Sequence, residues 1–362
     1  MIIYTMPAEE ESRTVLITGA NGVIGSAVCR AFSHAGWKTY GLVRSPTSLP
    51  DLVREEIVPV VGSAADPSAW MSTLPPTIDV IVSCSEDINN YESHFNDVLS
   101  MVTRISQECR PQRGHNKTPP PPLVIFSSGC KDYGTTLRHG DAALAPHTED
   151  SPLDPPAMLQ RRTQCALSMF NHTADFDAVV TRPTTVFGRS GSWYAVVFQL
   201  AEAAKAAGRS ELTIHSTQNS ILHGTHVDDV AAAYLAIAEA PRDIVAGQVY
   251  NISAHRYETL EELAHVVETS HNIKVVFSDP GPADQDEFGV NSVFNFPQWV
   301  DSTKIRRQLG WTDRKPLFHV GYDVYRKAFE QAQEDGSDQY RRSNGYVGLL
   351  RDERYHFGGE DK

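Results

Sequence analysis

No stretch of this chain stays apolar long enough to cross a membrane: a span needs about 18 to 20 such residues, and none approaches that. Cysteine is scarce. There are five, an odd number, scattered through 362 residues. That argues against a disulfide framework and makes a reducing compartment, the cytoplasm, the expected location. Positive charge is in deficit, with 32 lysines and arginines against 45 aspartates and glutamates and a net charge of −13. Such a chain repels phosphate backbones, so nucleic acid is not an expected partner. The first residues are acidic around Glu9-Glu10-Glu11, unlike a signal or transit peptide, and no membrane association is expected. No G-x-S-x-G elbow occurs. A metal is not expected either. His223, His226, Asp228 and Asp229 come nearest to a ligand set, and they do not follow the usual ligand patterns.

The positive signal is Val15-Leu16-Ile17-Thr18-Gly19-Ala20-Asn21-Gly22-Val23-Ile24-Gly25. A short apolar strand turns through two glycines and enters a helix at a third. In such a turn Gly19 permits the bend, Gly22 lets a pyrophosphate approach the backbone, and Gly25 lets the helix pack closely. The helix expected over 23–34 points its free N–H groups at the anion. Gly19, Asn21, Gly22, Val23, Ile24 and Gly25 are therefore the expected dinucleotide contacts. A purely structural glycine turn is the alternative.

Further strands are expected at 38–43, 57–61, 79–83, 123–127 and 177–181, with a helix over 91–108. Their alternation implies an α/β fold, a Rossmann-type doubly wound parallel sheet. After Arg182 helices dominate, with short strands at 212–214 and 248–251. This predicts a smaller, mostly helical C-terminal substrate lobe. The expected division is a flexible N-terminus at 1–13, a dinucleotide-binding domain at 14–190, a lobe at 191–333 interleaved with the last sheet strands, and a charged tail at 334–362. Thr259 and Glu262 form a capping-box pattern ahead of Leu263, Val266 and Val267. The proline-rich stretch 111–122 reads as an exposed loop. The second strand ends Leu42-Val43-Arg44-Ser45. Arginine there suits a 2′-phosphate where an acidic residue would suit a free ribose hydroxyl, so NADP is favoured over NAD. A plain surface arginine is the alternative.

The TGxxGxxG spacing resembles the short-chain dehydrogenase/reductase superfamily, and later segments extend the likeness to its extended and atypical branches, those of the NAD-dependent epimerases and dehydratases. Ser127-Ser128-Gly129-Cys130-Lys131-Asp132-Tyr133-Gly134 resembles the SSxxxYG region. Glu149 to Leu153 resembles DExxPL, and Arg182-Pro183 with Gly188 resembles RPxxxxG. His226-Val227-Asp228-Asp229 resembles HVDD. The likeness implies that Ser128 hydrogen-bonds a substrate oxygen, and that Ser63, where the family has aspartate, and Pro183 lie along the cofactor. It also implies a homodimer. One departure matters most. The family's reaction centre is YxxxK, in which lysine lowers the tyrosine pKa for proton transfer. Here Met158 and Arg162 occupy those places, and no YxxxK exists in the chain. Arg162 can still hold a nicotinamide ribose. Tyr133, Tyr194, Lys131 and His223 are the candidate proton donors, each with a purely structural alternative. Trp193, Tyr194, Phe198 and Phe187 suggest an apolar or aromatic substrate pocket.

The expectation is an NADP-dependent oxidoreductase acting on a carbonyl or hydroxyl of a small organic molecule. A non-redox isomerase, lyase, dehydratase or cyclase that retains its cofactor is the second reading, and a non-catalytic NADP sensor the third.

Overall fold

Seven parallel strands form the centre of the computed structural model, which describes residues 13–109, 120–191, 193–281 and 293–341. The first six strands are β1 (Thr14–Thr18), β2 (Lys38–Val43), β3 (Val58–Val61), β4 (Val80–Ser83), β5 (Leu123–Ser127) and β6 (Asp177–Pro183). The short strands β7 (Thr185–Phe187), β8 (Glu211–His215), β9 (Ile221–Leu222) and β10 (Gly224–His226) follow. The last three are β11 (Val249–Ile252), β12 (Glu258–Thr259) and β13 (Lys274–Ser278). The main sheet runs β11-β6-β5-β4-β1-β2-β3, all parallel. This is the doubly wound α/β order, with its reversal between β1 and β4, where such sheets bind ligands beyond their carboxyl ends.

The helices are α1 (Val23–His34), α2 (Leu49–Arg54), α3 (Tyr91–Glu108), α4 (Gln160–Ser168), α5 (Ala195–Ala206), α6 (Val227–Glu239), α7 (Arg242–Val245), α8 (Leu260–His271), α9 (Thr303–Leu309) and α10 (Tyr322–Glu334). Side chains alternate across the sheet as the strand period requires. Val15, Ile17, Val82 and Ile125 join the core under α1 and α6, while Leu16, Ile81, Val124 and Phe126 join the core under α3. Both faces are covered, which is why these strands read as unbroken apolar runs.

A third core fills the C-terminal lobe with aromatics in edge-on and tilted contact: Phe187, Tyr194, Phe198, Phe318, Tyr322 and Phe329. The lobe contains more strand than the sequence suggests. Parallel pairs β7–β10 and β8–β13 and the antiparallel pair β9–β12 join segments far apart in the chain, and a two- or three-residue strand carries too little periodicity to be seen alone. β11 crosses back to pair with β6, so the lobe and the sheet share a strand. The expected N-terminal segment up to residue 12, most of the proline-rich stretch and the end of the tail fall outside the described residues. No helix among the described residues is long and apolar enough to cross a membrane.

Candidate active site

A cavity of about 910 Å³ opens at the carboxyl ends of the strands. Its floor is the glycine-rich turn. Gly19 has φ of +63°, and a Cβ there would lie 2.9 Å from the Cys84 carbonyl oxygen behind β4. A Cβ on Gly25 would lie 2.1 Å from the Gly19 carbonyl oxygen. The third glycine thus lets α1 close onto the turn itself. Gly19, Asn21, Gly22, Val23 and Ile24 line the cavity; Gly25 supports it from below.

Arg44 and Ser63 line one end of the cavity. Arg44 is exposed and makes no ion pair with any described residue. Ser63 fixes its own loop, accepting from the Ala65 N–H at 3.2 Å. Ser128, Arg162, Met158, Pro183 and Lys131 line the other end. Met158 stands in the turn before α4, and Arg162 lies on the first turn of α4 itself. The position and chemistry of these groups fit a dinucleotide: a turn that can admit a pyrophosphate, a cation without an ion pair among the described residues at the Arg44 end, and a largely buried guanidinium beyond.

The Ser128 end of the cavity is built around a carboxylate that the sequence did not single out. Asp132 is wholly buried. It accepts from Ser128 Oγ at 2.5 Å, Arg162 Nη2 at 2.8 Å, Thr163 Oγ1 at 2.9 Å and Arg182 Nε at 3.1 Å. A buried carboxylate is tolerated only when paired and fully hydrogen-bonded in this way. Arg162 is closely held; a Cβ on Gly129 would sit 3.3 Å from its guanidinium. Burial opposes its charge, but Asp132 and Glu86 outweigh that and hold its pKa above the ordinary arginine value. Its Nε has no hydrogen-bond partner among the described residues.

Tyr133 and Tyr194 are not among the cavity's lining residues. The Tyr133 hydroxyl donates to Asn251 Oδ1 at 2.8 Å and accepts from Arg182 Nη1 at 2.9 Å, and its ring stacks on His147. Burial pushes its phenol pKa up. Tyr194 is buried in the aromatic core, 4.7 Å from the Phe318 ring centroid, with its pKa raised by the same cause. Phe187 and Phe198 belong to that core too, so of the four aromatics expected in a pocket only Trp193 lines the cavity. These side chains are large and apolar, and they are buried together in the core of the lobe.

His223 is buried away from the cavity. Its Nε2 lies 3.1 Å from the Ala254 carbonyl, its Nδ1 accepts from the Val300 N–H at 3.1 Å, and burial lowers its pKa to about 4. Lys131 is the candidate donor that does line the cavity. Its ammonium lies 4.5 Å from the Phe296 ring centroid and 5.9 Å from that of Trp193.

The HVDD residues are structural. His226 Nδ1 accepts from the Asp228 N–H at the head of α6, Asp229 accepts from the Arg314 and Lys315 N–H groups, and Asp228 pairs with Arg189 at 2.7 Å. Among the described residues no group of three or more His, Cys, Asp or Glu is placed to hold a metal.

Comparison with known proteins places this architecture. The dTDP-glucose 4,6-dehydratase of Bacillus anthracis, solved with NAD, superposes with a TM-score of 0.68 at 16% identity, covering 89% of this chain and 98% of that one. The UDP-glucose 4-epimerase of Stenotrophomonas maltophila, solved with NAD, gives 0.67 at 17% identity, with 88% and 99% covered. At such identities the likeness is one of fold. The ceramide reductase of Caulobacter vibrioides is 24% identical over 235 residues, which are 65% of this chain and 63% of that protein. This chain thus spans under two thirds of that relative's length. Residues 15–253 match the model of the NAD dependent epimerase/dehydratase family, and the chain belongs to that family.

Proposed function

We propose that the protein is an oxidoreductase that uses a nicotinamide dinucleotide, NADP in preference to NAD, to interconvert a carbonyl and a hydroxyl on a small organic molecule. The observation that carries this is one cavity joining the glycine-rich turn, an unpaired Arg44, and the Ser128–Asp132–Arg162 cluster. The cofactor, when bound, supplies or takes the hydride. The glycine-rich turn holds the pyrophosphate, Arg44 meets the 2′-phosphate, and Arg162 faces the nicotinamide ribose.

The hydrogen-bond pattern supports one role for Ser128. Its proton is committed to Asp132, so toward the cavity it presents lone pairs. It therefore accepts from a substrate hydroxyl and orients it. A carbonyl oxygen must take its hydrogen bond from another donor. Lys131 fills that role, a cavity-lining ammonium where Met158 cannot transfer a proton. The likeness to a ceramide reductase supports a reductive reaction. The likeness to a dehydratase and an epimerase, together with Met158 in the tyrosine's place, favours the second reading: a non-redox conversion with retained cofactor.

Titration of the purified protein with NADPH and NADH by fluorescence, then absorbance assays with aromatic ketones and aldehydes, separates them. Tight NADPH binding with its oxidation supports the oxidoreductase. Substrate conversion by mass without cofactor consumption supports the non-redox enzyme. Binding of neither nucleotide removes both.

A further inference from the structure

Behind the cofactor turn lies a contact that neither the turn nor the chemistry requires. Asp338, nine-tenths buried, comes from the far end of the chain. Asn21 Nδ2 donates to Ser48 Oγ at 2.7 Å and to Asp338 Oδ2 at 3.2 Å. Ser48 Oγ donates to the same carboxylate oxygen, and Arg341 pairs with the other. Asn21 lies in the glycine-rich turn. Ser48 ends the loop that begins at Arg44. The two loops that enclose the adenosine end of the cavity are thus pinned to one carboxylate.

Only an acceptor can take both donors at once. Without it a buried amide and a buried hydroxyl each lose a partner and must reorient to find another. Asp338 is itself held from the lobe. Residues 338–341 form a helical turn after α10, and Tyr340 packs on Phe329 with ring centroids 5.6 Å apart. Arg341 balances the carboxylate's charge, so the pin can sit beside a site for an anionic ligand.

We infer that Asp338 is a positioning residue for the cofactor: it ties the glycine-rich turn to the Arg44 loop, so that retention of the nucleotide depends on the docked C-terminal turn. This rests on reading the cavity as a dinucleotide site. The test uses the full chain as wild type, Asp338→Ala, Ser48→Ala, the double variant and Tyr340→Ala. NADPH is the probe, with affinity from fluorescence titration and release rate from stopped-flow displacement. Asp338→Ala is expected to bind NADPH about tenfold more weakly, mainly through faster release, as is usual when a contact around a ligand is lost. The double variant should be no worse than the worse single, because both remove one linkage. Tyr340→Ala, which leaves both loops intact, should shift release in the same direction and keeps the test open if Asp338→Ala does not fold. A wild-type protein that binds NADPH tightly, with variants that release it at the same rate and merely melt earlier, overturns the inference and leaves the dinucleotide site standing. A wild type that binds neither nucleotide overturns both.

Discussion

Asp132 shows how much one side chain carries. Two arginines, a serine and a threonine converge on it, and it is wholly buried. Replacing it by asparagine takes the counter-ion from Arg182 and leaves Arg162 with only Glu86, 4.0 Å away. Removing one partner of a buried pair typically costs about 3–5 kcal/mol. Asp132→Asn should therefore lower the urea-unfolding free energy by about that amount, and unchanged stability would show that the cluster relaxes to water. Arg44 is the opposite case, exposed and unpaired. A hydrogen bond to a charged group is worth about 1.5–3 kcal/mol, or roughly 10- to 100-fold in affinity. Arg44→Ala should weaken NADPH binding within that range and leave NADH binding nearly unchanged. Equal weakening of both would mean the arginine does not meet a 2′-phosphate.

Elements differ in how openly the sequence writes them. β1, β2 and β5 and the helices α1 and α3 fall on the residues their patterns indicate, because a buried strand or an amphipathic helix is a local fact. The capping box at α8 is equally local. Thr259 Oγ1 accepts from the Glu262 N–H at 3.2 Å, and Glu262 returns the bond to the Thr259 N–H at 2.9 Å. Thr259→Ala should cost about 1 kcal/mol, the usual worth of such a cap, readable as a lowered thermal midpoint with NADPH binding intact. An unchanged midpoint would mean that tertiary packing, not the cap, fixes where α8 begins. The cavity was legible where its parts lie in recognisable segments: the glycine-rich turn, Arg44, Ser63, Ser128 and Lys131, Pro183, and the slots at Met158 and Arg162. Asp132 was hidden because an aspartate in a short turn ordinarily faces water; its burial follows from Arg182 and Thr163, on elements 50 and 31 residues away. The aromatics misled for the converse reason. Phe187, Tyr194 and Phe198 look like a pocket wall in sequence, and only the three-dimensional lobe shows that they are its interior.

At the scale of the whole molecule, the lobe is laced to the sheet's site loop by the stretch 297–302. Thr136 N–H donates to the Pro297 carbonyl at 2.8 Å, Gln298 Nε2 to the Cys130 and Gly134 carbonyls at 2.8 and 2.7 Å, and His147 N–H to the Trp299 carbonyl at 2.9 Å. His223 closes this seam by accepting from the Val300 N–H, which it can do only while Nδ1 is unprotonated. Burial brings its pKa from 6.5 to about 4. The folded-state value is thus below the unfolded one, so the unfolded chain binds the proton first as pH falls. The contribution is fully present above about pH 6.5 and is lost progressively down to about pH 4. At pH 5 the loss from this residue is about 2 kcal/mol, from 1.5 pH units at about 1.36 kcal/mol each. Glutamine can accept from Val300 and donate to Ala254 without titrating. His223→Gln should therefore unfold in urea at pH 7.5 much as the wild type does, and fall less steeply toward pH 5 by about that margin. Parallel pH profiles for the two proteins would mean that the imidazole keeps its ordinary pKa, and that acid loosens the site from somewhere other than this seam.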